Sequence, residues 1–422
     1  MSLAQEKLRL RSSAASTVRP VTWIKRFALL CAALAAVALA APATPALALS
    51  KTEVQKRIAS ALLRAGSSSG ALVTDLTTGE RLYAARADLA RVPASNEKLY
   101  TTATILGRFG ALARFNTELF ASGVVDEDGL LDGDLILRGG GDPSFSGEDI
   151  DSLGRAIRRA GITAVTGGIV GDESRFDKRR GGPASGWSID GYIGGSLGAL
   201  VLNRGSGDYG NPGLAAASAL SKELSGLKIE RGRKARTGLT PTGAKRISLL
   251  RSPTVSGLIE VTNTASDNFY AEMLIKNLGA RFANSGSTTA GAAVMRSYLK
   301  RFGISPQISD GSGLSRGNRT SPRELVALLA AMHESPQRAA FEGSLAVAGR
   351  TGTLAGRMKG SAAEGACRGK TGTLSDVSGL SGLCTSKNGH VIVFSMLMNS
   401  VSPASARSLQ DRAVQAIANF NG

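Results

Sequence analysis

The chain has 422 residues, 42% hydrophobic and 20% charged, the balance of a globular protein with room for two or three domains rather than of a disordered one. Its formal net charge of +18 favours polyanionic surroundings: nucleic acid, an anionic membrane face or a charged wall polymer. The sequence has no nucleic-acid module, no zinc-finger spacing and no aromatic platform with basic flanks, so the wall polymer is the expected neighbour.

Residues 1–48 hold Lys7, Arg9, Arg11, Arg19, Lys25 and Arg26 against Glu6. Phe27 to Ala40 is an apolar run preceded by Lys25-Arg26 and followed by Pro42, Pro45 and Ala46-Leu47-Ala48. This pattern predicts a cleaved export signal. A membrane anchor is the alternative, but the run is short of the roughly 20 residues a span needs. No stable membrane span is expected after cleavage, and the mature chain is placed in the periplasm or at the extracellular wall. Cys31 leaves with the signal, so Cys367 and Cys384 remain as an even pair in an exported protein, a disulfide candidate.

The apolar spacing of Val54, Ile58, Leu62 and Leu63 predicts a helix over 51–63. A β-hairpin follows at 71–76 and 81–83. Pro93-Ala94-Ser95-Asn96-Glu97-Lys98 then opens a helix. From about Thr117 the pattern turns to short strands, 117–125 and 134–137, with a glycine turn at Gly139-Gly140-Gly141-Asp142-Pro143. No Lys-Ser/Thr follows that turn, which speaks against a nucleotide loop. Helices are expected at 148–160 and 214–224, with a strand through Ile169-Val170. Residues 228–245 are strongly basic and read as a surface segment or linker, a candidate for wall contact.

Helices are then expected at 264–278, at 288–302 and, from the Ser321-Pro322-Arg323-Glu324 capping box, to about Met332. Strands at 368–374, 378–384 and 390–398 precede a last helix from Pro403 to about Phe420. Both ends of the chain thus build one α/β (α+β) unit. The expected division is a signal at 1–48, one domain made of 49–112 and 250–422, and an inserted mixed α/β domain at 113–249.

Three short motifs carry chemistry. Ser95 and Lys98 are three apart on a helix start and share a face. A serine hydroxyl needs a neighbour to take its proton, and a lysine can do so once burial or a second cation lowers its pKa. Ser266-Asp267-Asn268 opens a later helix, and Lys370-Thr371-Gly372-Thr373 opens the terminal meander. Alone, each has a bland reading as a helix start, an N-cap or a turn. In this order, on these elements, they resemble the three motifs of penicillin-recognising serine enzymes.

The gap between the first two motifs further resembles the low-molecular-mass class C penicillin-binding proteins, the D-alanyl-D-alanine carboxypeptidase/endopeptidase group. Asp310-Gly311-Ser312-Gly313-Leu314-Ser315 and Gly140-Gly141-Asp142-Pro143-Ser144 are also similar to its sequences. The insertion is shorter than in the larger members, which leaves endopeptidase preference and oligomeric state open. The resemblance implies a β-lactamase/transpeptidase-like domain, an antiparallel sheet flanked by helices. It implies Ser95 as nucleophile, Lys98 as base, Ser266 as proton relay, Asn268 as a hydrogen-bond partner of substrate and Lys98, and Lys370 as a cation holding Ser266 and keeping Lys98 deprotonated. Thr371, Gly372 and Thr373 would line the substrate's carboxylate end, and the N–H groups of Ser95 and Thr373 would form the oxyanion hole. The expected substrates are peptidoglycan stem peptides, with β-lactams as covalent inhibitors, and no cofactor, metal or nucleic acid is implied.

Arg350-Thr351-Gly352-Thr353 imitates the third motif, but no alternating strand follows it. If 374–377 is a hairpin turn, antiparallel pairing sets Cys367 opposite Cys384, within disulfide reach; two buried thiols are the alternative. Only His333 and His390 exist, and neither sits in a triad-like context. The competing functions are a serine β-lactamase, for which no deacylating Glu stands out, and a wall-binding protein with a dead site.

Overall fold

Both ends of the chain meet in a six-stranded antiparallel sheet that positions the three motifs. The structure is a computed structural model describing residues 48–422; the expected export signal lies outside the described residues. Helix α1 (Lys51–Arg64) is capped by the Ser50 hydroxyl and buries Val54, Ile58, Ala61 and Leu62 on one stripe, the three- and four-residue spacing of an amphipathic helix. Strands β1 (Ser69–Asp75) and β2 (Arg81–Ala85) form the expected hairpin. Helix α2 (Glu97–Phe109) follows a single tight turn at Ala94–Asn96.

Residues 116–251 build two further sheets. Their elements are β3 (Asn116–Ala121), β4 (Val124–Val125), β5 (Leu130–Asp132), β6 (Leu135–Arg138), α3 (Gly147–Arg159), β7 (Ala164–Val165), β8 (Ile169–Asp172), α4 (Pro212–Gly226), β9 (Glu230–Arg231), β10 (Arg236–Thr237) and β11 (Lys245–Arg251). The five-stranded order is β10-β8-β6-β3-β11, and the four-stranded order is β4-β5-β7-β9. Leu119, Leu137 and Ile169 pack there against Leu153, Ile157, Leu220 and Leu224 of α3 and α4. The single strand expected over 117–125 is broken at 122–123, where Gly123 lies so close to Asp132 that a Cβ would fall 1.8 Å from its carbonyl oxygen. The basic stretch 228–245 is largely exposed. It nonetheless pairs into β9 and β10 and leads into β11, whose charged ends masked its strand pattern.

The C-terminal part holds α5 (Val255–Thr264), α6 (Asn268–Phe282), α7 (Thr288–Leu299), α8 (Pro322–His333) and α9 (Arg338–Gly343). It then holds β12 (Ala346–Val347), β13 (Cys367–Leu374), β14 (Val377–Thr385), β15 (Val391–Asn399) and α10 (Pro403–Ala418). The helix expected over 264–278 begins only at Asn268, as α6, and Thr264 is the last residue of α5. Ser266 takes a left-handed φ of +62° between them, and Asp267 caps α6 by accepting from the Tyr270 N–H. Helix α5 escaped the sequence reading because Gly257, Thr262 and Asn263 are weak helix formers. The Ser321–Glu324 capping box opens α8 as expected.

The main sheet runs β12-β13-β14-β15-β1-β2. Along β15, Ile392, Phe394 and Met396 face α1 and α10, while Val393 and Leu397 face α2, α6 and α8. Both faces are covered, so the strand reads as an unbroken apolar run. Leu49 donates its N–H to the Asn419 carbonyl at 2.8 Å and bridges to Phe420, tying the two ends together. Among the described residues no helix is long and apolar enough to cross a membrane.

Candidate active site

Ser95 sits on the tight turn that feeds α2, squeezed between two backbones. A side chain at Gly313 would lie 1.9 Å from the Ala94 carbonyl oxygen, and one at Gly372 would lie 2.7 Å from the Pro93 oxygen and 3.0 Å from the Ser95 nitrogen. Only glycine fits at either place. Ala94 itself is left-handed, with φ +48°, a conformation that costs a non-glycine residue about 1–2 kcal/mol and is held here by the flanking loop and strand.

Lys98 is completely buried. Its Nζ lies 3.0 Å from Ser95 Oγ, 2.6 Å from Asn268 Oδ1 and 2.7 Å from the Ser312 carbonyl oxygen. The last two atoms can only accept, so they take two N–H bonds. In a neutral amine the remaining lone pair faces the Ser95 hydroxyl and can receive its proton. Burial is the largest influence on Lys98 and pulls its pKa down to about 8, while Asp310, Glu272, Asp267 and Glu97 oppose it.

Lys370 is also fully buried, on β13, and its Nζ donates to the Thr371 carbonyl at 2.9 Å. Burial first, and the Lys98 charge second, hold it well below the usual lysine range. The two amines therefore share one poorly solvated site, and burial rather than the second cation is the leading cause for Lys98.

The structure adds three buried carboxyl groups that the motif reading left without roles. Glu272 Oε1 accepts from the N–H groups of Gly311 at 3.0 Å and Ser312 at 2.8 Å. Asp310 accepts from Gly313 and Ser315 N–H and from Asn318 Nδ2 at 2.6–2.8 Å. Together they fold the loop that presents the Ser312 carbonyl to Lys98. Glu272 could have been suspected, since it follows Asn268 by four residues and shares its face of α6. Neither carboxyl oxygen of Glu97 has a hydrogen-bond partner among the described residues. Burial, then Asp310 and Glu272, raise its pKa well above the carboxylate range.

The other expected residues are placed as follows. The Ser266 hydroxyl is half-buried and has no hydrogen-bond partner among the described residues, so it makes no hydrogen bond to Ser95, Lys98 or Lys370. Thr371 donates its hydroxyl to Thr353 Oγ1 at 2.8 Å, which sets the imitation motif beside the true strand. Thr373 Oγ1 accepts from Arg407 at 3.3 Å, a residue no motif marked. Asn268 Nδ2 donates to the Tyr192 carbonyl at 2.7 Å, from a loop in which Tyr192 is 81% exposed. Cys367 and Cys384 are disulfide-bonded opposite one another in the β13–β14 ladder, clamping the strand three residues before Lys370. His333 and His390 bond Glu342 at 2.7 Å and Asp75 at 2.6 Å, and among the described residues neither imidazole bonds a serine hydroxyl.

The profile of the D-Ala-D-Ala carboxypeptidase 3 (S13) family matches residues 51–193 and 208–420. The chain is 28% identical to a D-alanyl-D-alanine carboxypeptidase of Actinomadura sp. (strain R39) over 85% of this chain and 82% of that protein. It is 30% identical to a carboxypeptidase of Mycobacterium tuberculosis over 78% of this chain and 76% of the other. Its fold is similar to that of penicillin binding protein 4 from Haemophilus influenzae, with a TM-score of 0.74 at 20% identity over 86% of this chain and 98% of that one. The chain therefore belongs to the D-Ala-D-Ala carboxypeptidase 3 (S13) family.

Proposed function

We propose that this chain is an exported serine D-alanyl-D-alanine carboxypeptidase that trims peptidoglycan stem peptides and is acylated by penicillin. The observation that carries the reading is the Lys98 amine, with two acceptors for its N–H bonds and its third direction on Ser95 Oγ. Ser95 attacks the carbonyl of the terminal D-Ala-D-Ala amide while its proton passes to Lys98. The Ser95 and Thr373 N–H groups take the developing oxyanion. The proton held by Lys98 is relayed through the Ser266 hydroxyl to the departing D-Ala amine, and water then resolves the acyl ester, its hydroxide going to the acyl carbon and its other proton returning to Ser95. Asn268 turns its amide from the Tyr192 carbonyl to the substrate.

Strand β12 pairs only with Arg368 and Gly369, which leaves Lys370–Leu374 as a free edge for an extended peptide. Thr371, Gly372 and Thr373 line the carboxylate end, and Arg407 adds a permanent positive charge there. Residues 113–249 act as an inserted domain between 49–112 and 250–422, and residues 1–48 as the export signal. The peptidase reading is favoured over a β-lactamase by the match to the D-Ala-D-Ala carboxypeptidase 3 (S13) family.

The test is D-Ala release from a pentapeptide ending in D-Ala-D-Ala. One equivalent of D-Ala is expected from the wild type and none above background from Ser95→Ala. Equal release by the two proteins would overturn the assignment.

A further inference from the structure

Helices α2 and α6 begin at the candidate active site and end together at a second cleft. At 1.5 Å per residue their lengths put that cleft about 20 Å from Ser95. Its volume is about 680 Å³, and its walls carry Arg114, Arg138, Arg175 and Arg281 with Glu118 as their one carboxylate. Glu118 is already used, bonding Arg138 at 2.6 Å and Arg246 at 3.1 Å. Arg114 donates to the Ser252 carbonyl at 2.6 Å and has no acid partner among the described residues. Arg175 and Arg281 have neither a hydrogen-bond nor an ion-pair partner for their guanidinium groups among the described residues.

Arg281 lies in the last turn of α6, where a cation offsets the helix dipole. Arg175 has no such reason: it stands in a loop just after β8. Its Nε is buried without an acceptor, and burial, then the Arg281 charge, lower its pKa. A donor buried unpaired beside a like charge is unfavourable unless an anion completes the site. The glycine turn at Gly139-Gly140 lines the same cleft.

We propose that this cleft is a binding site for a phosphate group, either free or carried on a wall polymer. Two guanidinium groups with no carboxylate between them suit an anion with several oxygens and more than one charge. A cleft of this size has room for a sugar-phosphate unit as well as for a lone ion. The inference does not rest on the peptidase reading, since none of these arginines touches that site.

The test uses the mature full-length chain. Inorganic phosphate is titrated while the melting temperature is followed, and binding is compared for wild type, Arg281→Gln, Arg175→Met/Arg281→Gln, and Arg57→Gln as a charge control on exposed α1. Far-UV circular dichroism checks the fold, and the exposed Arg281→Gln variant serves alone if Arg175→Met fails to fold. Affinity about tenfold or more weaker in the cleft variants, with the Arg57→Gln control like wild type, is the expected result. Co-sedimentation with cell walls before and after hydrofluoric acid removal of phosphodiester-linked polymers separates the sources. Loss of binding on removal assigns a polymer phosphate, and unchanged wall binding beside an intact phosphate response assigns a free one. Cleft variants that respond to phosphate as wild type does, or a control that loses as much as they do, would overturn the proposal.

Discussion

A neutral lysine amine has two N–H bonds and one lone pair, and Lys98 has two carbonyl-type oxygens and one hydroxyl around it. Protonation would turn the third position from acceptor to donor and block attack by Ser95. With the Lys98 pKa near 8, kcat/KM is expected to rise with pH through about 8 and level off above it. The apparent value belongs to the coupled Lys98–Lys370 pair. Lys98→Met should lower the acylation rate by about 10²–10⁴-fold and remove that limb; a variant that keeps the limb would show that another group is the base. The first motif was legible because its chemistry demands both residue types at a fixed spacing. The buried Glu97, Glu272 and Asp310 were not legible in their roles. Their significance comes from where a distant loop packs, and spacing pointed only to Glu272, one turn after Asn268 on α6.

Strand β13 is the element that carries the third motif, and it depends on its neighbours for position. The disulfide to β14 closes a loop with a sequence separation of 17, which by chain entropy stabilises the fold by about 3 kcal/mol. Replacing both cysteines with serine is expected to lower the unfolding free energy by about that amount, read as a lower denaturant midpoint, with a slope equal or steeper because the unfolded chain is less constrained. An unchanged midpoint would mean that the ladder alone holds the strand. The meander register could be read from the sequence because one turn position fixes every pair in an antiparallel ladder. Helix α5 and strand β11 could not, since glycine and polar residues dilute the first and charged ends disguise the second.

Across the whole molecule, the residues from 116 to 251 are tied to the site helix α6 by a buried cation. Lys276 is 1% exposed, pairs with Asp177 at 2.8 Å and donates to the Leu197 and Arg179 carbonyls at 2.9 and 3.1 Å. Phe176, Ile193 and Leu197 pack beside it on Phe269 and Met273. This tether supports the loop whose Tyr192 carbonyl touches Asn268. Lys276→Met leaves buried carbonyls unpaired and should cost about 1–3 kcal/mol in unfolding free energy, with slower acylation by penicillin; a neutral effect on both would remove the tether from the account. Nothing in the sequence marked Lys276, because its partners lie 79 and more residues away. The joining of the two chain ends was legible, since each contributes elements that cannot bury both faces alone.

The central claim is that Ser95 is the nucleophile that Lys98 activates. Intact-protein mass spectrometry after exposure to penicillin tests it most directly. The account predicts one covalent adduct on the wild type, mapped to the peptide containing Ser95, and none on Ser95→Ala. An adduct that survives the substitution, or one mapped to another residue, would contradict it.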